Sequence, residues 1–434
     1  MSRVIPSRLH LVLAAATLML VCGRWTRAQQ PVTRADAHRA ALAAGSRVAL
    51  ARADTAAARA ALVSAKALPN PSLSATYTKD APRKHVILDV PVDAPWSRRP
   101  RVGAANATVR AARLRFLSER TAAVVEVDTT YTLALAAQAR FRLSRQTARE
   151  ADSLRTMTAQ RRDAGDASDL DVDLATITAG QQWNVAATDS LTYMSSVLAV
   201  QTLMGIAADS EAIVLADSLR LAPGETEAML RAIDSATTRV LASGASPFAG
   251  ATLNASSAMP SIAAAEASLT AAEMAVTRER RSVFGAPSLQ MGVEWGDPGA
   301  DNPNEILPTF GVAIPLPLFN RNQGPIAEAR AERDRARAEL ASTRLLVSQR
   351  LVEGRRERES LRARIARDQE LVIRAERVAV RSLTAYREGA SALPAVLEAR
   401  RTAREVLQQY IDDLAALMMI ESELRALTQT VPAQ

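Results

Sequence analysis

Residues 286–295 read Ala-Pro-Ser-Leu-Gln-Met-Gly-Val-Glu-Trp, and residues 70–77 read Asn-Pro-Ser-Leu-Ser-Ala-Thr-Tyr. After each proline an apolar residue takes every second place: Leu289, Met291, Val293 and Trp295 in one run, Leu73, Ala75 and Tyr77 in the other. Two further runs do the same. Val86, Leu88, Val90 and Val92 alternate with His85, Ile87, Asp89 and Pro91. Phe310, Val312, Ile314 and Leu316 alternate with Thr309, Gly311, Ala313 and Pro315. A period of two is the pleat of a strand with one apolar face and one mostly polar or small face. Each run is about 8–9 residues, close to the ~9–11 of a tilted membrane-spanning strand. A half-buried soluble sheet alternates in the same way. The leader described below, and the lack of a globular core elsewhere, favour the membrane.

The runs come in pairs because the chain is written twice. Val90-Pro91-Val92 followed by Trp96-Ser97-Arg98 recurs as Ile314-Pro315-Leu316 followed by Phe319-Asn320-Arg321. Ala164-Gly165, then Val172 and Ala175, recurs as Glu388-Gly389, then Val396 and Ala399. Each half reads helix, two strands, a very long helix, a glycine turn and a long helix back. A repeat of this size is a tandem duplication rather than a solenoid. The expected organisation is a first repeat over 29–205 with its β-hairpin at 71–92, and a second over 259–434 with its hairpin at 287–316. A small mixed segment over 206–258 separates them, with one short helical piece near Glu225–Leu241.

Four strands cannot close a barrel, which needs at least ~8. An open sheet edge in lipid leaves N–H and C=O groups without partners. Strands of this kind therefore require several copies of the chain.

The helices are too long for a globule. Between Pro100 and Gly165 there is no further proline, and Gly103 is the one glycine. About 60 helical residues span ~90–100 Å. Pro325 to Gly389 is similar, with one interruption at Gly354. Pro100 and Pro325 are expected in the first turns of these helices, where a missing N–H costs nothing. Leu361, Ile365 and Val372 fall at coiled-coil spacings. The Arg355–Glu359 run reads as a solvated face. The return helices are expected over Asp169 to about Leu203 and Ser391 to about Leu427.

Composition agrees. The chain has 434 residues, 17 Gly, 20 Pro, one Cys, three His and 3% aromatics. That excludes a disulfide scaffold, a Cys-rich zinc site and a haem-attachment motif. Residues 1–28 read as a secretory signal: Arg3 and Arg8, then the apolar stretch Leu9 to Val21, then Thr26-Arg27-Ala28 for cleavage. Removal takes four arginines and no acid, so the formal charge of +8 falls to +4. A nucleic-acid partner is therefore not expected. Cys22 leaves with this leader; the alternative is a lipidated Cys22, although Val21 stands where a lipobox has a small residue. No other stretch reaches ~18 apolar residues, so any later membrane contact falls to strands.

These motifs resemble the outer-membrane efflux protein family, the TolC-type exit ducts, over roughly 33–428. The Asn70-Pro71-Ser72-Leu73 opening carries the likeness, as do Tyr386-Arg387-Glu388-Gly389 with Val396-Leu397 and Ala399. The run Pro315-Leu316-Pro317-Leu318-Phe319-Asn320-Arg321-Asn322-Gln323-Gly324 is similar to the heavy-metal (cobalt-zinc-cadmium) subgroup. The resemblance implies a mainly α fold with a four-stranded membrane β portion, assembled as a homotrimer with a periplasmic α-barrel and a twelve-stranded β-barrel. It implies an outer-membrane location with a long periplasmic extension. It also implies a periplasmic adaptor and an inner-membrane pump, often of the resistance-nodulation-division class, as partners, and a passive channel for heavy-metal cations or drugs.

By the same resemblance Gly165 and Gly389 are the turns at the periplasmic mouth, where the adaptor acts. Family members can carry acids six and nine residues after the second glycine; here those positions are Ala395 and Glu398. The first copy has Asp171 at the sixth position, with Asp166, Asp169 and Asp173 near it. Arg162 stands where the second copy has Tyr386. Acids at a narrow mouth focus negative potential and favour cations. The Asp run equally reads as a helix N-cap cluster behind Ser168. Trp96 and Phe319, at strand-to-helix junctions, suit a membrane interface.

No nucleophile with its base, phosphate loop or paired-His helix is present, so no enzyme activity, cofactor or metal site is expected. His38 and His85 are isolated, and Met418-Met419 reads as core. The competing reading is a periplasmic coiled-coil adaptor or scaffold without a pore. An adaptor should carry a lipoyl-like β domain flanking one helical hairpin.

Overall fold

The computed structural model describes residues 31–207, 209, 211–219, 259–299, 302 and 305–428. The leader 1–28 and the helical piece near Glu225–Leu241 lie outside the described residues. The order is α1 (Arg34–Ala44), α2 (Ser46–Lys66), β1 (Ser72–Tyr77), β2 (Lys84–Pro91), α3 (Pro95–Asp163) and α4 (Asp169–Leu203), then α5 (Pro260–Arg281), β3 (Ser288–Trp295), β4 (Leu307–Ala313), α6 (Gln323–Arg387) and α7 (Leu393–Thr428). The chain is mainly helical, and the second half repeats the sequence hairpin, long helix, turn, return helix of the first.

Helix α3 has 69 residues and α6 has 65. Pro325 lies in the first turn of α6, as expected, but Pro100 lies inside α3. The first turn of α3 closes earlier, at Pro95. The Ser97 and Arg98 amides both donate to the Ala94 carbonyl, at 3.0 and 2.9 Å. The buried Asp93 carboxylate holds Arg101 at 2.8 Å and Arg98 at 3.4 Å. Pro100 therefore removes one helical donor, the one that would meet the Trp96 carbonyl.

The four strands form one antiparallel sheet in the order β1-β2-β3-β4. Its register sets Leu73, Leu88, Met291 and Phe310 in one row across the sheet, and Ala75, Val86, Val293 and Pro308 in the next. Val90, Leu289 and Val312 form a third row. All of these share one face. The other face carries Ser72, Asp89, Gln290 and Gly311, then Ser74, Ile87, Gly292 and Thr309, then Thr76, His85, Glu294 and Leu307. The apolar phases of two hairpins some 200 residues apart thus coincide. β4 differs from its expected range: it starts at Leu307 and stops at Ala313. Pro315 and Pro317 have no N–H for a ladder, so Ile314 and Leu316 keep the phase without the strand.

The described chain falls into two compact units. Of the described residues, one takes those within 31–41, 126–219 and 361–419, and the other those within 42–125, 259–360 and 420–428. Each draws on both halves of the sequence. In the first unit, Ala37, Ala41, Val127, Tyr131, Leu135, Val197 and Val200 form the larger core. The segment after α4 returns to the N-terminal stretch: Val32 and Leu215 form a parallel bridge. The Tyr131 hydroxyl, fully buried, shares its one proton between two acceptors, the Val32 carbonyl at 2.8 Å and Asp217 at 2.9 Å. Burial, then Asp217, pushes its phenol well above the usual range. In the second unit Gly354 lies against Leu424 and Ile420; an added Cβ would stand 2.8 Å from Leu424 Cδ2. The interruption in α6 is a close approach to α7.

Candidate functional site: the hairpin turns and the sheet face

The two glycine turns are built alike. Gly165 has φ +86° and Gly389 has φ +77°, a region open to glycine at little cost. The Gly165 amide donates to the Arg162 carbonyl at 2.9 Å and the Asp166 amide to Arg161 at 2.7 Å. The Gly389 amide donates to Tyr386 at 3.1 Å and the Ala390 amide to Ala385 at 2.8 Å. Both are Schellman closures that satisfy the last carbonyls of a long helix.

One side chain joins the two turns. The Arg161 guanidinium lies over the Tyr386 ring, 4.6 Å from its centroid, and donates to the Tyr386 carbonyl. Its Nη2 is 3.5 Å from the Asp166 carbonyl and 3.7 Å from where a Cβ on Gly389 would stand. The Tyr386 hydroxyl meets the Thr158 hydroxyl at 3.2 Å. Around Tyr386, 4% exposed, pack Leu154, Ala175, Leu393 and Val396. The sequence reading singled out Tyr386 but missed Arg161 and Thr158. The repeat counterpart of Arg161 is Ala385, which carries no polar group, so comparing the two copies gives no hint of a cation there. Thr158 corresponds to Ser382, and the hydroxyl that the two copies share at this place is the one signal that could have found it.

The acids divide. Asp171 is engaged in a capping box: its amide donates to Ser168 Oγ at 3.1 Å, and its carboxylate accepts from the Ser168 amide at 3.1 Å. Asp169 faces Arg162 at 3.6 Å, and Arg162 also holds Asp163 at 2.6 Å. Asp166 and Asp173 are exposed. Glu398 is exposed and paired with Arg401 at 2.7 and 3.0 Å; Arg401 also reaches Glu405 at 3.1 Å. The Arg401 hydrogen bonds hold the Glu398 carboxyl below the usual carboxylate range. Glu398 and the Asp residues are not brought together by any contact within one chain.

The sheet face is exposed. Leu73, Tyr77, Phe310 and Val312 are 64–77% accessible. Lys84 lies 5.9 Å above the Trp295 ring at the far end, in the Tyr77–Lys84–Trp295 row. Trp96 and Phe319 stand exposed at the near end, where strands give way to helices. Among the described residues no strand pairs with the outer edge of β1 or β4. Among the described residues no helix is long and apolar enough to cross a membrane, and no group of three or more His, Cys, Asp and Glu could hold a metal ion.

Residues 253–429 match the family described as outer membrane efflux protein. Comparison of the sequence with curated proteins finds no match. Several solved structures share the fold. CusC, in a structure described as showing changes accompanying folding and transmembrane channel formation, is 17% identical, with TM-score 0.70 over 92% of each chain. The outer membrane protein VceC of Vibrio cholerae is 16% identical, with TM-score 0.69 over 92% of this chain and 96% of its own. The open state of the Neisseria gonorrhoeae MtrE outer membrane channel is 14% identical, with TM-score 0.64 over 90% and 88%. The second half of this chain thus carries the outer membrane efflux protein pattern, on the fold of solved outer-membrane channels.

Proposed function

We propose that this protein is the outer-membrane exit duct of a tripartite efflux pump, passively conducting substrate from a periplasmic adaptor and an inner-membrane pump, of the resistance-nodulation-division type, to the exterior. The observation that carries this is the sheet. Its apolar residues are in phase across four strands, exposed on β1, β3 and β4 and half-exposed on β2, and both its edges are open among the described residues. Such a face belongs in lipid, and lipid does not tolerate the edges unless other copies pair with them. Three copies close a barrel of twelve strands. Helix α4 supports the same assembly. It carries apolar residues around its whole circumference, and Leu170, Ile177, Leu191 and Met194 are 56–69% exposed in the single chain. A helix of that kind is normally covered on every side.

In the assembled duct Gly165 and Gly389 mark the periplasmic mouth, with Asp166, Asp169, Asp171, Asp173, Tyr386 and Glu398 at the adaptor contact. The Pro315–Gly324 run supports heavy-metal cations as cargo, with selectivity exercised by the pump. An adaptor would carry one helical hairpin beside a β domain, whereas this chain has two hairpins and strands that alternate for lipid.

The test is a susceptibility panel on a strain lacking the gene. Zn²⁺, Co²⁺, Cd²⁺ and Cu⁺ are set beside dyes, detergents and hydrophobic antibiotics. Sensitivity to metals alone is expected. Sensitivity to organic compounds alone overturns the metal assignment and keeps the duct. No change in any arm, with the partner pump expressed, overturns the duct.

A further inference from the structure

Where α5 runs into β3, a cavity of about 680 Å³ opens beside the end of β4. Its walls are of two kinds. Trp96, Phe284 and Ile314 are apolar and 49–65% exposed, and Arg280 and Arg281 close α5 beside them. The cavity is shaped by a close backbone approach at Gly285, where a Cβ would stand 2.6 Å from Pro315 Cγ.

Three features single it out. First, the two arginines are electrically unspent. Arg278 takes Glu279 at 2.6 Å, and Glu279 also accepts from Asn322 at 3.0 Å. Asp93 is taken by Arg98 and Arg101. Neither Arg280 nor Arg281 meets a carboxylate among the described residues. Second, the apolar wall continues the sheet face. Ile314 follows Phe310 and Val312 in the same phase, so a chain lying on that face runs into the cavity. Third, Trp96 stands where the apolar band ends, the depth at which indole rings sit in membranes.

We infer that this cavity binds an anionic phospholipid of the inner leaflet, its phosphodiester held by Arg280 and Arg281 and an acyl chain laid along Phe284 and Ile314. Guanidinium forks match phosphate oxygens, and paired cations beside an apolar wall select a charged headgroup that brings its own hydrocarbon. The inference rests on the outer-membrane reading above.

The full chain is purified as two single-tryptophan proteins. One keeps Trp96, and the other keeps Trp295 at the opposite end of the apolar face; the remaining tryptophans are replaced by Phe. Each is reconstituted in phosphatidylcholine vesicles with phosphatidylglycerol or phosphatidylcholine brominated on its acyl chains, which quench indole on contact. Trp96 should be quenched by brominated phosphatidylglycerol at lower mole fraction than by brominated phosphatidylcholine. Arg280→Gln with Arg281→Gln should weaken that preference about tenfold. Arg377→Gln with Arg381→Gln, remote in sequence, should leave it intact. Each single substitution should give part of the loss, which keeps the test open if the double variant does not assemble. Inorganic phosphate should not compete; competition would mean a free-anion site and overturn the lipid. Equal quenching of Trp96 by both lipids, with Trp295 quenched, overturns the lipid site and leaves the barrel standing. Trp295 unquenched by either lipid overturns both.

Discussion

Leu88 and Ser74 offer a sharp test of the sheet. Leu88 pairs with Leu73, and Ser74 with Ile87, so the two positions sit one residue apart in depth and on opposite faces. Leu88 lies four residues from Lys84 and four from Val92. At ~3.3 Å per residue that is about 13 Å of strand on either side, the middle of the apolar band. An arginine on the lipid face at that depth costs ~2–4 kcal/mol, and one on the lumen face costs little. Three copies multiply the penalty to ~6–12 kcal/mol per assembly, comparable to the whole stability of a typical domain. Leu88→Arg should therefore abolish assembled trimer in outer-membrane fractions and lower the denaturant midpoint of reconstituted protein. Ser74→Arg should give trimer at wild-type level, although it removes the 3.4 Å hydrogen bond from Ser74 Oγ to the Ile87 carbonyl. Leu88→Ala, which removes bulk without adding charge, should assemble. If the two arginines have equal effects, in either direction, the face assignment is wrong.

Three more outcomes are expected. Arg161→Ala removes the cation over Tyr386 and its bond to the Tyr386 carbonyl, so amide exchange across 385–390 should accelerate about 5–10-fold; unchanged exchange would free Arg161 of any role at the turns. Glu398→Ala should reduce cation selectivity in planar bilayers. Because Arg401 holds Glu398 low, the wild-type charge and the selectivity it confers should be lost at a lower pH than in Arg401→Gln, and a higher or equal pH of loss would count against Glu398. Asp368 is buried, with Oδ2 lacking a partner, and burial followed by the neighbouring Asp413 carboxylate raises its pKa. A raised acid favours folding when protonated, and that contribution is lost as pH rises from the unfolded value through the folded one. Asp368→Asn should thus raise the thermal midpoint at pH 7 and give no gain below pH ~3.9, and an equal gain at both would rule out titration as its cause.

What the sequence disclosed was local. Strand phase is imposed residue by residue by the pleat, so the alternation at Leu289–Trp295 is legible without a partner. The turn at Gly165 and the Ser168 cap are likewise written within a few residues, and α4 occupies its expected span, Asp169–Leu203. The misses needed distant information. Arg161 meets Tyr386 across 225 residues. Gly354 reads as a flaw in a helix until Leu424 is set against it. Pro100 looks like a helix start, because a proline is cheapest there; the buried Asp93 moves the start to Pro95. β4 ends early because its phase continues through prolines that cannot hold a ladder. Phase and pairing are separate properties, and only the first is local.

Duplication makes the missing edge contact legible as well. Within one chain β2, the second strand of the first hairpin, pairs with β3, the first strand of the second, matching Val90 with Leu289 and Leu88 with Met291. In the proposed barrel β4 meets β1 of the next chain, which is the same joint written with the repeats exchanged. Ile314 corresponds to Val90 and Leu73 to Leu289, so the equivalent register sets Ile314 against Leu73, Val312 against Ala75 and Phe310 against Tyr77 of the neighbouring copy. Every one of these residues lies on the apolar face, as closure in lipid requires. Val312→Cys with Ala75→Cys puts two directly opposed Cα atoms about 4.5–5.5 Å apart across that joint, within the range of an oxidised bridge. Cys22 is the chain's one native cysteine, so Cys22→Ser in the same protein leaves the background clear. Oxidation should yield covalent dimers and trimers on a non-reducing gel. Val312→Cys with Thr76→Cys, one residue out of phase, should not. If the out-of-phase pair cross-links as well as the matched one, the barrel does not close by repeating its internal joint.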